Sequence, residues 1–245
     1  MKPYDNSFIL NVISKYSKII KEQKRNNCSV IKETAVFNEG YMYSRKEEKQ
    51  YDEIVLLKDT ECIMKISMKE IQGSYIAINS AHGKVGVVGL GLGYVVQEMA
   101  KNAKVDSIKV YENSHDIVEI YKNNFADNPK IEIIEQDAFE AEHREFDFFF
   151  SDIYGYELNS KVVEDYKKFI KLHDIEEYSF WGMEHFLLSC SYDDLLWIYI
   201  PENWVEYSKK IYEALDLSGL MEDYCQLDSE YVHDILMKFK EILNA

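Results

Sequence analysis

The run Val85-Gly86-Val87-Val88-Gly89-Leu90-Gly91-Leu92-Gly93-Tyr94 constrains this chain more than any other stretch. A short β-rich segment ends in glycines at alternate positions, and a helical pattern begins at Tyr94. Glycines there let the backbone turn tightly and approach a ligand closely, while a helix N-terminus offers free N–H groups. A purely structural tight turn explains the same glycines. The dinucleotide fingerprint G-x-G-x-x-G requires glycine where Tyr94 stands, so the pattern here is G-x-G-x-G and that fingerprint fails.

The chain after the loop is regular. Its pattern predicts strands at Val85–Val88, Ser107–Tyr111, Lys130–Ile134 and Phe146–Phe150. Helices are predicted at Tyr94–Lys101 and from a Ser114 cap through Asn123. The strands are continuously apolar rather than alternating, as strands covered on both faces are. Strand and helix in alternation predict an α/β, doubly wound, mostly parallel sheet of Rossmann-like type.

Three acidic residues close successive strands. Glu112 follows the second, where a carboxylate can accept two hydrogen bonds from a ribose diol; an exposed strand-end Glu is the alternative. Asp137 follows the third, placed to accept from an adenine amino group with Ala138 and Phe139 flanking the ring. A helix N-cap explains Asp137 equally well. Asp152 ends the fourth in Ser151-Asp152-Ile153-Tyr154-Gly155. Ligands of open α/β sheets bind beyond the carboxyl ends of the strands, so Gly89, Glu112, Asp137 and Asp152 all point to one crevice.

Taken together, VGVVGLGLGY, the acidic end of IKVYEN, the pair in IEQDAF and the SDIYG run resemble class I S-adenosylmethionine-dependent methyltransferases. Within that superfamily the chain is most similar to the spermidine-synthase-like branch, whose glycine loop also lacks a preceding acid; Val87 and Val88 stand there. The resemblance covers about residues 83–155. It implies that Gly89, Gly91 and Gly93 run beside the methionine and ribose of S-adenosylmethionine. Glu112 would then hold the ribose and Asp137 the adenine, with Asp152 at the reacting end. Aminopropyl transferases carry an acid in the glycine loop where this chain has Leu92, and a longer catalytic loop where it has Asp152–Tyr156. No double proline follows Asp152, unlike the motif of many nucleic-acid amino-methylating enzymes.

The expected function is methyl transfer from S-adenosylmethionine to an unidentified acceptor. An amine nucleophile needs a group to take its proton, and Asp152 is the candidate, with Tyr154 lining the site. Two alternatives stay open: aminopropyl transfer from a relative of the same cofactor, and a non-catalytic interaction protein that keeps the fold.

Elsewhere the pattern is coarser. Residues 1–80 are expected to form an N-terminal helix and a small cap, and 81–245 the α/β domain with a helical C-terminal extension. A helical period spans residues 4–24, with the basic run Lys21–Arg25 at its end. Strands are expected at Thr34–Phe37, Glu53–Leu57 and Glu61–Ile66, and Ser67–Ile78 reads as a short helix or extended. Helices are expected at 160–172, 176–190, 203–216 and 229–243, and a strand at Leu195–Ile200. In the 176–190 segment, Trp181, Glu184 and His185 either close over the crevice or belong to a core helix; the core reading is preferred.

Composition bounds the partners. Lysine and arginine number 28 against 44 acidic residues, a formal charge of -16, which disfavours nucleic acid and suits a cationic small molecule or basic protein. The expected partners are a small-molecule or protein acceptor, with a homodimer as an option. Cys28, Cys62, Cys190 and Cys225 form no C-x-x-C or zinc spacing, so no metal is expected and a reduced cytoplasmic setting is the simplest reading. The N-terminus lacks the long apolar run of a signal peptide, and no stretch has a membrane span's length. Nineteen Tyr and twelve Phe are ascribed to core positions; the count alone places no aromatic pocket.

Overall fold

The computed structural model describes residues 2–36, 38–47 and 50–244. Helix α1 (Asn6–Ile19) starts where the Asp5 side chain accepts from the Ser7 N–H at 2.8 Å. Ile9, Ile13 and Tyr16 make its buried stripe. The helix stops at Ile19; the basic run expected at its end instead enters strand β1 (Gln23–Arg25), which pairs antiparallel with β2 (Cys28–Ala35). Of the strand expected at Thr34–Phe37, the first two residues end β2 and Phe37 lies outside the described residues.

The short pair β3 (Asn38–Glu39) and β4 (Lys46–Glu47) leads to β5 (Tyr51–Lys58) and β6 (Glu61–Ile66). Strands β1-β2-β5-β6 form an antiparallel sheet. Segment 67–80 is helical: α2 (Met68–Gly73) and α3 (Tyr75–Ser80), joined at Ser74.

A parallel sheet comes next. Its strands are β7 (Gly83–Val88), β8 (Val105–Glu112), β9 (Ile131–Glu135), β10 (Glu145–Ser151) and β11 (Asp174–Phe180). Helix α4 (Tyr94–Met99) follows β7, α5 (His115–Asn124) follows β8, and α6 (Lys161–Leu172) joins β10 to β11. The order is β11-β10-β7-β8-β9, so β7, first in the chain, lies in the middle. The order reverses on either side of β7, which makes the edge between β7 and β10 the switch point. Strand ends align there, since Val88 pairs with both Ser151 and Tyr111, and Glu112 pairs with Glu135.

The sheet is buried on both faces. Phe148, Phe149 and Phe150 are successive residues pointing to alternate sides, and all three are buried. Gly86 makes room on the neighbouring strand, because a Cβ there would enter the Phe149 ring. Trp204 sits under the sheet with its Nε1–H donating to the Tyr178 carbonyl at 2.7 Å.

Two expectations are corrected beyond α6. Residues 176–190 are not one helix: β11 occupies Asp174–Phe180, and α7 (Met183–Ser189) starts only after Gly182 at φ 91°. Pairing with the all-phenylalanine core of β10 outweighs the helical preference of Glu176 and Glu177. Leu195–Ile200 is not a strand either. Ser191 caps α8 (Tyr192–Leu195), and the Tyr199 N–H donates to Asn244 rather than to a sheet edge. Helices α9 (Glu202–Leu217) and α10 (Ser229–Leu243) complete the C-terminal extension. No helix among the described residues is long and apolar enough to cross a membrane.

Candidate functional site

A cavity of about 340 Å³ opens at the carboxyl edge of β7, β8 and β10. Gly89, Gly91, Glu112 and Asp152 line it together. Its wall also includes Lys58, Met64 and Glu70, Val95 and Ile117 at the starts of α4 and α5, and Tyr156.

The glycine loop is held by its neighbours. Gly89 has φ 96°, and a Cβ on it would stand 2.5 Å from the Asp152 carbonyl oxygen. Gly91 has φ 51° and lies against the Met64 thioether, which accepts from the Leu92 N–H at 3.1 Å. Glu112 ties loop and strand together. Its Oε2 accepts from Leu90 N–H at 3.1 Å and its Oε1 from Ser114 N–H at 2.9 Å. A carboxylate has about four acceptor positions, so two backbone bonds fix this one and leave two for a ligand.

The same cavity is lined by two carboxyls, the half-buried Asp152 beside Gly89 and the buried Glu70. Burial pushes the Asp152 carboxyl up to about 7. Burial, and then the neighbouring Asp152, push Glu70 well above the usual carboxylate range. Glu70 Oε1 is buried without a hydrogen-bond partner. Two neighbouring carboxyls with raised affinities for protons resist carrying two full negative charges at once.

Glu70 is silent in the sequence for a physical reason. Ser67-Met68-Lys69-Glu70 has the spacing of a helix capping box, and the Ser67 hydroxyl does accept from the Glu70 N–H at 3.4 Å. That spacing marks a helix start and carries no sign that the Glu side chain turns into a cavity.

The other expected site residues lie elsewhere. Gly93 faces α5, where a Cβ would stand 2.5 Å from the Tyr121 ring. Asp137 Oδ1 accepts from Phe139 N–H at 2.9 Å as the cap of a short 3-10 turn, and neither it nor the buried Ala138 lines the cavity. Asn113, Ser114 and Ile117 occupy the cavity wall beside Glu112 instead. Tyr154 is not among the residues lining the cavity: its hydroxyl accepts from Ser151 at 3.1 Å, and its ring packs edge-on to Phe180. Trp181, Glu184 and His185 do not line this cavity.

The raised Asp152 carboxyl gives stability a pH slope. The folded state keeps this proton from about pH 4, where an unfolded Asp loses it, up to about pH 7. Its contribution to stability therefore falls as pH rises through that window. Asp152→Asn is expected to gain melting temperature over wild type at pH 8 and little at pH 4.5. An equal gain at both pH values in thermal melts would contradict the assignment.

No family model and no curated protein matches the chain. Solved structures do. The 23S rRNA methyltransferase ErmE shares 16% identity over 45% of this chain and 44% of its own length, with a TM-score of 0.37. The chain thus spans less than half of ErmE. A Methanococcus maripaludis protein provisionally assigned as an S-adenosylmethionine-dependent methyltransferase shares 16% over 70% of this chain and 74% of its own, at 0.41. Spermidine synthase from Thermotoga maritima shares 13% over 61% of each chain, at 0.35. The order and direction of this chain's own strands establish a doubly wound, parallel α/β sheet of Rossmann-like type.

Proposed function

We propose that the chain binds S-adenosylmethionine in the glycine-loop cavity and transfers its methyl group to an acceptor that approaches Asp152. One observation carries the reading: the same cavity gathers Gly89, Gly91, Glu112, Asp152 and Glu70.

The residues fit the cofactor. Glu112, fixed by two backbone N–H groups, keeps acceptor positions for a ribose diol. Ile117 and Val95 supply apolar surface for a planar base, next to Asn113. Glu70 lines the same cavity with its Oε1 buried and unpartnered, leaving that atom a hydrogen-bonding position for a ligand. When bound, the cofactor supplies a methyl group already activated on a sulfonium. The protein's part is to hold the acceptor in line and exclude water. Asp152, near neutral in its affinity for a proton, takes the proton an amine acceptor releases. Glu70 keeps the pair from carrying two full negative charges.

Calorimetry tests the reading. S-adenosylhomocysteine is expected to bind at micromolar concentration, and absence of binding by it and S-adenosylmethionine at millimolar ligand would overturn the proposal. The acid pair also favours a second reading, aminopropyl transfer to a cationic amine. Tighter binding of decarboxylated S-adenosylmethionine than of the parent would select it.

A further inference from the structure

Segment 192–199, between α7 and α9, turns four large apolar side chains outward. Tyr192 is 76% exposed, Leu196 58%, Trp197 77% and Tyr199 69%. Tyr192 and Leu196 stand one turn apart on the same face, since the Leu196 N–H donates to the Tyr192 carbonyl at 3.2 Å. Apolar side chains scattered singly over a surface are ordinary, but four gathered in one short segment make a patch, and such patches mark interaction sites.

The segment is fastened in this presentation. Ile198 is buried in the core. The Ser191 hydroxyl accepts from the Asp194 N–H at 3.1 Å and donates to the Asp194 carboxylate at 2.7 Å. Asp194 also meets His233 Nδ1 on α10 at 3.0 Å. At the other end the Tyr199 N–H donates to Asn244, the C-cap of α10, at 3.0 Å. A patch held at both ends gives up little freedom when a partner covers it.

Charge says what kind of partner fits. Residues 191–245 carry 12 acidic side chains against four lysines, a net -8 and half of the chain's -16. Asp194 also lines an open groove of about 480 Å³ between the start of α8 and α10. Glu230 and Asp234 line it too, exposed and one turn apart on α10, and no lysine or arginine is among its described lining residues. Like charges at that spacing repel each other, and a cation between them relieves the repulsion. A second copy of this chain would bring the same negative face to a symmetric contact, where it is repelled. Nucleic acid and anionic lipid are repelled likewise. A basic protein segment is attracted, and its apolar side chains have Tyr192, Leu196 and Trp197 to cover.

We propose that segment 192–199 is a docking surface for a basic protein segment, with Tyr192, Leu196 and Trp197 taking its apolar side chains and the Glu230–Asp234 groove taking a lysine or arginine. The surface does not depend on the methyl-transfer reading, because the groove and the glycine-loop cavity have no lining residue in common.

A short labelled peptide of alternating lysine and leucine tests this in the full chain by fluorescence anisotropy. It is expected to bind at micromolar concentration, and the same peptide with serine for leucine at least about tenfold more weakly. Leu196→Ser/Trp197→Ser removes exposed apolar surface, so it should leave the melting temperature unchanged and weaken the lysine–leucine peptide at least about tenfold. Glu230→Gln/Asp234→Asn should weaken it severalfold at low salt. Asp106→Asn/Asp127→Asn removes as much charge from exposed positions on β8 and before β9, and should change little. No binding by the lysine–leucine peptide, equal binding by its serine form, or equal losses in the two charge variants overturns the proposal. So does self-association or binding to phosphatidylcholine vesicles that disappears in Leu196→Ser/Trp197→Ser, since the patch would then have another occupant. The outcome is independent of the S-adenosylhomocysteine titration, so either proposal can fail while the other stands.

Discussion

Glu112→Ala is expected to lower S-adenosylhomocysteine affinity by at least about 100-fold and to cost stability as well. The side chain ties Leu90 N–H in the glycine loop to Ser114 N–H at the start of α5. Hydrogen bonds to a charged group contribute about 1.5–3 kcal/mol each, and a buried donor left alone costs about as much. The alanine variant loses both backbone bonds and any acceptor for a ribose diol. Glu112→Gln keeps one carbonyl oxygen, so it should recover part of the melting temperature and little of the affinity. Wild-type affinity in the alanine variant would remove Glu112 from the binding site.

Gly89→Ala should do more damage to the fold. Its φ of 96° strains any residue with a Cβ, and that Cβ would stand 2.5 Å from a backbone oxygen of Asp152. Backbone cannot turn aside as a side chain can, so β7 and β10 must separate at the switch point. Strain and overlap together are expected to cost about 3 kcal/mol or more. For a chain of this size that lowers Tm by roughly 6–12 °C. Gly182 provides the control: its φ is 91°, and a Cβ there meets nothing within 4 Å. Gly182→Ala thus carries the strain without the collision, at about 1 kcal/mol. Equal losses in the two variants would show that the Asp152 contact contributes nothing.

The parallel sheet is legible in the sequence because its signals are local. Apolar runs such as Phe146–Phe150 permit little but a strand covered on both faces, and glycines 89, 91 and 93 mark the turn after β7. Glu112 and Asp152 are readable for the same reason, as residues that end strands whose ends align. Asp137 follows a strand too, but β9 is an edge strand, and there the Asp137 side chain caps a 3-10 turn. Sequence position gives the strand end and not the direction of the turn after it. The strand β11 is hidden because Glu176 and Glu177 read as helix, and only pairing with β10 decides otherwise. Glu70 and Met64 are out of reach, since their roles depend on where β6 and α2 dock on the sheet.

That docking has a consequence for any attempt to divide the chain. The Tyr156 hydroxyl is fastened at two points to the peptide of Lys65, across a gap of most of the α/β sheet in sequence. A fragment starting at residue 81 would keep the glycine loop, Glu112 and Asp152, yet it would lack Met64 and Glu70 and leave Tyr156 unfastened. The two pieces cut at residue 80 should therefore behave as complementing halves, with ligand affinity returning only when both are mixed. Binding in this protein reports the assembly of the whole chain, not the integrity of its sheet alone.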